Sequence, residues 1–144
     1  MTTLDAAIAL AVDAHKGQTD KVGQPYILHP MRLMLRLDGE EERIVAILHD
    51  VVEDTHVTLD DLRAMGFSPT VIEALDRLTH RPEESYDDYL ARILPHPLAR
   101  KVKLLDLEDN MDIRRLDHQC QENDWLRLKK YRTAWARLRG LPLA

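Results

Sequence analysis

The segment Leu48-His49-Asp50-Val51-Val52-Glu53-Asp54-Thr55 brings one histidine and three carboxylates into six consecutive positions. On a helix, Glu53 lies one turn beyond His49, and Asp54 one turn beyond Asp50. The residues ahead of them, Ile44, Ile47 and Leu48, are apolar and belong in a core. A core helix ending this way carries its carboxylates into a partly buried site, where unpaired charges cost several kcal/mol. A bound divalent cation removes that cost; a surface helix end with solvated acids is the alternative reading. A second cluster sits in Lys103-Leu104-Leu105-Asp106-Leu107-Glu108-Asp109-Asn110. There Lys103, Asp106 and Asn110 recur at i, i+3 and i+7, setting a cation, an anion and an amide on one face. Salt-bridged filler inside a bundle would look the same. The third piece is Tyr26-Ile27-Leu28-His29-Pro30, a histidine at the end of an irregular loop, which alone reads equally as a turn residue. Taken together, two histidines and two aspartates make a mixed nitrogen and oxygen set suited to a divalent ion, Mn²⁺ first, with Zn²⁺ and Fe²⁺ open.

Helices must position these groups. Glu41 to Val52 carries Ile44, Ile47, Leu48 and Val51 at i, i+3, i+4 and i+7, predicting one helix that delivers His49 and Asp50. Leu4, Ile8, Ala11 and Val12 form an earlier stripe that ends before Gly17. Three helix starts follow: Thr58 ahead of Leu59-Asp60-Asp61, Ser68 ahead of Pro69, and Ser85 ahead of Tyr86-Asp87-Asp88. A long segment from about Ala99 to Asp117, with Val102, Leu105, Met111 and Ile113 among its apolar positions, carries the second cluster. The last helix turns Trp125, Leu128, Trp135 and Leu138 inward and leaves a solvated basic face; a tail for anionic partners is the alternative. Gly17 to Pro30, with two glycines and two prolines, reads as a long irregular loop of the kind that is often functional. No alternating run of β-branched residues is present. The expectation is an all-α bundle of about six to eight helices.

The chain has 144 residues, enough for a single domain over 1–144 with a core that needs no disulfide, and Cys120 is its one cysteine. Its 20 basic and 25 acidic residues leave a net charge of −5, which argues against nucleic acid as a partner. No apolar run approaches the roughly 18 residues of a membrane span, and Met1-Thr2-Thr3-Leu4-Asp5 does not begin a signal peptide. A soluble cytoplasmic protein is expected, with no membrane partner.

The motifs Tyr26-Ile27-Leu28-His29-Pro30, Leu48-His49-Asp50-Val51-Val52-Glu53-Asp54-Thr55 and Val102-Lys103-Leu104-Leu105-Asp106, with Asn110, resemble the signatures of the HD superfamily. More narrowly, they are similar to the guanosine-polyphosphate 3′-pyrophosphohydrolase domain of RelA/SpoT homologues, including its stand-alone small hydrolases. The resemblance runs from about His15 to Leu116 and implies a compact HD-domain helical bundle. It also implies that His29, His49, Asp50 and Asp106 hold the metal, while Glu53 and Asp54 work on the attacking water. Asn110 would orient the substrate or the Glu/Asp pair. Lys21 and Lys103 would supply cations to the pyrophosphate, with Tyr26 also on the substrate. In that family the loop after His-x-Gly-Gln carries a basic pair whose first member, an arginine, packs on guanine. Here Lys16-Gly17-Gln18-Thr19-Asp20-Lys21 keeps Lys21 but has Asp20 at the arginine's place, and an acid cannot stack on a purine as guanidinium does. With the chain ending at Ala144, no synthetase domain is expected.

The expected activity is metal-dependent phosphohydrolysis of a small-molecule nucleotide, foremost removal of the 3′-pyrophosphate of guanosine tetra- or pentaphosphate. An HD hydrolase of another nucleotide or phosphoester is the alternative enzyme. A non-catalytic nucleotide sensor with a vestigial site is the alternative from a different class, though it leaves Glu53 and Asp54 unexplained beside a full ligand set.

Overall fold

The computed structural model describes residues 2–116 and 119–141. These form nine α-helical segments and one short 3₁₀ turn, with no strand beyond an isolated bridge between Thr19 and Pro25. The helices are α1 (Leu4–Ala14), α2 (Leu28–Leu35), α3 (Glu40–Leu48), α4 (Val51–Asp54), α5 (Leu59–Ala64), α6 (Pro69–Leu78), α7 (Tyr86–Ile93), α8 (Pro97–Asn110) and α9 (Glu122–Leu138). Only His49 and Asp50 separate α3 from α4. Taken as the single segment read in the sequence, they leave eight helices, as expected for the all-α bundle.

α3 is the spine of the bundle. Ile44 to Leu48 are all buried, and the helix packs against α1, α2, α6 and α8. A helix covered on every side must be apolar all round at its buried end, and Ile44-Val45-Ala46-Ile47-Leu48 is. Its start is polar, with three glutamates in the first turn where the helix dipole favours them. The chain thus enters from solvent and delivers His49 and Asp50 to the interior.

The three predicted helix starts are caps. Thr58 and Asp61 form a reciprocal capping box on α5, Ser68 accepts from the amide of Val71, and Ser85 accepts from that of Asp88. A fourth start was not legible: the His96 ring Nδ1 accepts from the amide of Ala99 at 3.1 Å, ahead of Pro97. Histidine is not a usual capping residue, so only the tertiary position of its ring reveals it.

Several predicted elements shift. The expected helix over Glu41–Val52 is interrupted, because the Ala46 carbonyl, which a continuing helix offers to the amide of Asp50, accepts the His49 ring Nδ1 at 2.7 Å. The segment expected to run to Asp117 stops at Asn110, where Asp112 caps a separate turn, Ile113–Arg115, through the amide of Arg114. Ile113 is exposed there, and Asp117 lies outside the described residues. In α1 the buried positions are Ala7 and Ala11, while Val12 faces solvent. Trp125 is likewise exposed, so α9 is anchored by its C-terminal half, through Ala134, Ala136 and Leu138. The loop expected to reach Pro30 ends at Ile27, and His29 stands in the first turn of α2.

Candidate metal centre and nucleotide site

Four residues from three parts of the fold converge on one point. α2 contributes His29, the α3–α4 break contributes His49 and Asp50, and α8 contributes Asp106. One ligand atom from each lies within 4.8 Å of the other three. His49 Nε2 is 2.9 Å from Asp50 Oδ2 and 3.3 Å from Asp106 Oδ1, and His29 Nε2 is 2.8 Å from Asp106 Oδ1. The break in the helix is what makes this possible. It turns His49 and Asp50 toward one centre, which an unbroken helix would aim about 100° apart.

The ring tautomers test whether a cation fits. The His49 Nδ1 contacts a backbone carbonyl and the His29 Nδ1 contacts the Asp109 carboxylate at 2.5 Å. Both partners only accept, so each Nδ1 carries the hydrogen. In the neutral rings both Nε2 lone pairs therefore face inward, toward carboxylate oxygens that are themselves acceptors. His49 Nε2 is buried and makes no hydrogen bond despite its close neighbours. Lone pairs from two imidazoles and two carboxylates meeting at one point repel unless a proton or a cation lies between them. The donor set fits a divalent metal.

The electrostatics agree. Burial pushes the His49 ring toward neutrality, but Asp50 and Asp106 outweigh it and hold its pKa well above the usual histidine value. Burial likewise opposes the charge on Asp106, yet Lys103 and the two histidines keep its carboxyl well below the usual range. The Lys103 ammonium sits 2.7 Å from Asp106 Oδ2 and remains charged despite its burial. Asn110 donates to Asp106 Oδ1 at 3.2 Å, completing the Lys103-Asp106-Asn110 stripe read from the sequence. The Tyr26 hydroxyl donates to Asp50 Oδ2, so its ring rather than its hydroxyl is free to meet a ligand.

Glu53 and Asp54 stand one turn on, with oxygens close to that of Asp50, and both are exposed to the adjoining cavity. Glu53 Oε1 accepts from the amide of His80 at 2.7 Å, which steadies it from across the bundle. Burial, followed by the charges of Asp50 and Glu53, raises Asp54 to a pKa of about 6.

Two connecting cavities open here. The smaller, about 240 Å³, is lined by Asp50, Glu53, Asp54, Lys103 and Asp106, with Lys130 at its rim. The larger, about 530 Å³, shares Tyr26, Asn110 and Tyr131 with it and adds Lys21, Arg115 and Arg127. Lys21 thus lies at the larger cavity, away from the carboxylate cluster. Asp20 does not project freely into that space. Its Oδ1 accepts from the amides of Val22 and Gln24, closing a turn in which Gly23 has φ +84°, and Arg115 lies 3.8 Å from its Oδ2. The Gln18 side chain ties the same loop to the carbonyl of Asp54 at 3.0 Å.

Sequence reasoning missed Asp109, Arg115, Gln18 and His80. Asp109 offered one signal, its i, i+3 spacing from Asp106, and Gln18 another, its place in the His-x-Gly-Gln loop; Arg115 and His80 have none, because each reaches the site through tertiary packing.

No protein-family model matches the chain. It is similar to the guanosine-3′,5′-bis(diphosphate) 3′-pyrophosphohydrolase of Vibrio cholerae, 39% identical over 119 residues, covering 74% of this chain and 17% of that protein. It is also similar to the bifunctional (p)ppGpp synthase/hydrolase SpoT of Escherichia coli, 33% identical, covering 75% of this chain and 17% of that one. The 3′-pyrophosphohydrolase of Aquifex aeolicus is 30% identical over 76% of this chain and 17% of its own length. The chain thus spans about a sixth of the curated relatives it matches. Among solved structures, one described as a metazoan ortholog of SpoT that hydrolyzes ppGpp has the same fold. Its TM-score is 0.76 at 20% identity, covering 95% of this chain and 85% of that one. Over about three quarters of its length, then, the chain is a homologue of one segment of the guanosine-3′,5′-bis(diphosphate) 3′-pyrophosphohydrolases, in the RelA/SpoT group that its motifs resemble.

Proposed function

We propose that this protein is a divalent-metal-dependent phosphohydrolase that removes the 3′-pyrophosphate of guanosine tetra- or pentaphosphate. The observation that carries the reading is the largely buried set of His29, His49, Asp50 and Asp106, with both Nε2 atoms turned inward beside Glu53 and Asp54. The names of the relatives support the substrate. In this reading those four residues hold the ion, Mn²⁺ first and Zn²⁺ or Fe²⁺ otherwise, given the mixed nitrogen and oxygen donors. When bound, such an ion supplies a nucleophile usable near neutral pH and polarises a phosphoryl oxygen.

The chain's own groups do the rest. Hydrolysis needs one proton taken from water and one given to the leaving ribose 3′-oxygen. Asp54, whose carboxyl is raised in the metal-free protein by burial and then by the charges of Asp50 and Glu53, faces the same cavity as the ligand set and is placed for both tasks. Asn110 fixes Asp106 and presents its other face to the cavity. Lys103 holds Asp106 and borders the smaller cavity, while Lys21 borders the larger one; together they face the pyrophosphate and the rest of the nucleotide. The Tyr26 ring lines both spaces between them. The shared core of the described helices supports one catalytic unit over 1–144. Among the described residues no helix is long and apolar enough to cross a membrane; the names of the relatives support a small-molecule nucleotide as the substrate.

A second reading, hydrolysis of a different nucleotide, is favoured by Asp20, whose carboxylate shapes the loop at the position where the resembling family has a base-stacking arginine. The test is purified protein with Mn²⁺, assayed for pyrophosphate and phosphate release over a nucleotide panel. Pyrophosphate release from guanosine tetraphosphate supports the first reading; turnover of another nucleotide alone supports the second. Binding without turnover of any would make the protein a sensor and refute both.

A further inference from the structure

Asp106 and Asp109 lie one turn apart on α8 and grip the same imidazole from both sides. Asp106 Oδ1 is 2.8 Å from His29 Nε2, and Asp109 Oδ2 is 2.5 Å from His29 Nδ1. The Asp109 side chain is only 9% exposed and is itself clamped. Arg32 donates through Nε to Oδ1 at 2.8 Å and through Nη2 to Oδ2 at 3.1 Å; Arg115 donates through Nη1 to Oδ2 at 2.9 Å. Two guanidiniums, one from α2 and one from the turn after α8, converge on this largely covered carboxylate. They leave it charged and fixed in direction.

We propose that Asp109 is a positioning residue for the metal centre: it fixes the orientation and tautomer of His29, and Arg32 and Arg115 hold it in place to do so. The inference rests on the metal-centre reading above. A carboxylate accepts from Nδ1–H, so the lone pair stays on Nε2 and points at the cluster; the charge also makes the imidazole a better donor. The two histidine ligands are set by different devices. His49 is held by the backbone carbonyl of Ala46, which no side-chain substitution removes. His29 is held by a side chain, so its contribution can be tested separately.

The experiment measures Mn²⁺ affinity of the full chain by competition with a chelating dye, with melting curves taken with and without Mn²⁺. Asp109→Asn keeps the shape but removes the charge and one acceptor. It is expected to weaken Mn²⁺ binding about 10–100-fold, the usual effect of removing such a partner, and to shrink the Mn²⁺-induced rise in Tm. A merely structural residue would lower Tm equally with and without the ion and leave the affinity unchanged. Arg32→Gln, which keeps the carboxylate but loosens it, is expected to weaken binding several-fold. It decides the matter if Asp109→Asn does not fold. Arg36→Gln is the control, because Arg36 pairs with Glu108 on the exposed side of the same helix pair. Unchanged Mn²⁺ affinity in Asp109→Asn, or in Arg32→Gln where that variant must decide, overturns the proposal. Should His49→Ala lose the ion while Asp109→Asn keeps it, this inference alone falls; should both keep it, the metal centre falls as well.

Discussion

Asp54→Asn should move activity and stability in opposite directions. The carboxyl of Asp54 has a pKa of about 6 in the folded protein against an ordinary value of 3.8. A group whose folded pKa is raised binds its proton more tightly in the native state. Its ionised form therefore costs stability above pH 6, and the cost disappears below about pH 4. The gap of about two pH units corresponds to roughly 3 kcal/mol at 1.36 kcal/mol per unit. Asp54 is exposed on its cavity side, and solvent screens such charges strongly, so about 1 kcal/mol is the expected effect. In chelator-treated protein at pH 7.5, Asp54→Asn should raise Tm by roughly 3–5 °C, and the difference should vanish at pH 4. The same substitution removes the group that exchanges protons with water and leaving group. With Mn²⁺ present, kcat for pyrophosphate release should fall at least about 10²-fold, or about 2.7 kcal/mol. A lower Tm together with lost activity would make Asp54 a structural residue and refute the argument. Near-full turnover would show that its proton is not used.

Three further outcomes follow from the geometry. His49→Ala should leave the protein without bound metal by elemental analysis, because it deletes an inward Nε2 that water replaces poorly; full occupancy would remove His49 from the ligand set. Lys21→Ala should raise KM for a guanosine polyphosphate about tenfold or more, the scale of one charge-assisted contact of roughly 1.5–3 kcal/mol, and an unchanged KM would place Lys21 outside the substrate path. Glu84, gripped by Arg92 at 2.5 and 2.8 Å, has its carboxyl lowered to about 2. Its stabilising effect is present above the ordinary glutamate pKa of 4.5 and is lost as pH falls toward 2. Glu84→Gln should therefore lower Tm at pH 7 by an amount that shrinks steadily below pH 4.5; a gap independent of pH would mean that the charge is not what matters.

Much of this molecule is written in local pattern. Thr58, Ser68 and Ser85 announce their helices because capping is settled within three residues, and Ile44 to Leu48 announce a buried helix because every face is apolar. The stripe Lys103, Asp106 and Asn110 is legible for the same reason: it depends only on helical spacing. Tertiary structure decided the rest. The break at His49 arises because a side chain competes for a backbone carbonyl, and that choice depends on what the ring meets on its other side. His29 appeared to end a loop, yet α8 offers a carboxylate to each of its ring nitrogens, and the residue stands in a helix instead. Asp20 is defined in the sequence only by what it cannot do, stack on a purine; its role in closing the turn around Gly23, where two amides meet its carboxylate, is visible only in the fold. Asp109 has no role legible in the sequence, because the cations that fix it come from α2 and from the turn after α8. Spacing along the chain sets which residues share a helical face; which charge meets which partner across helices is set only when the core brings those faces together.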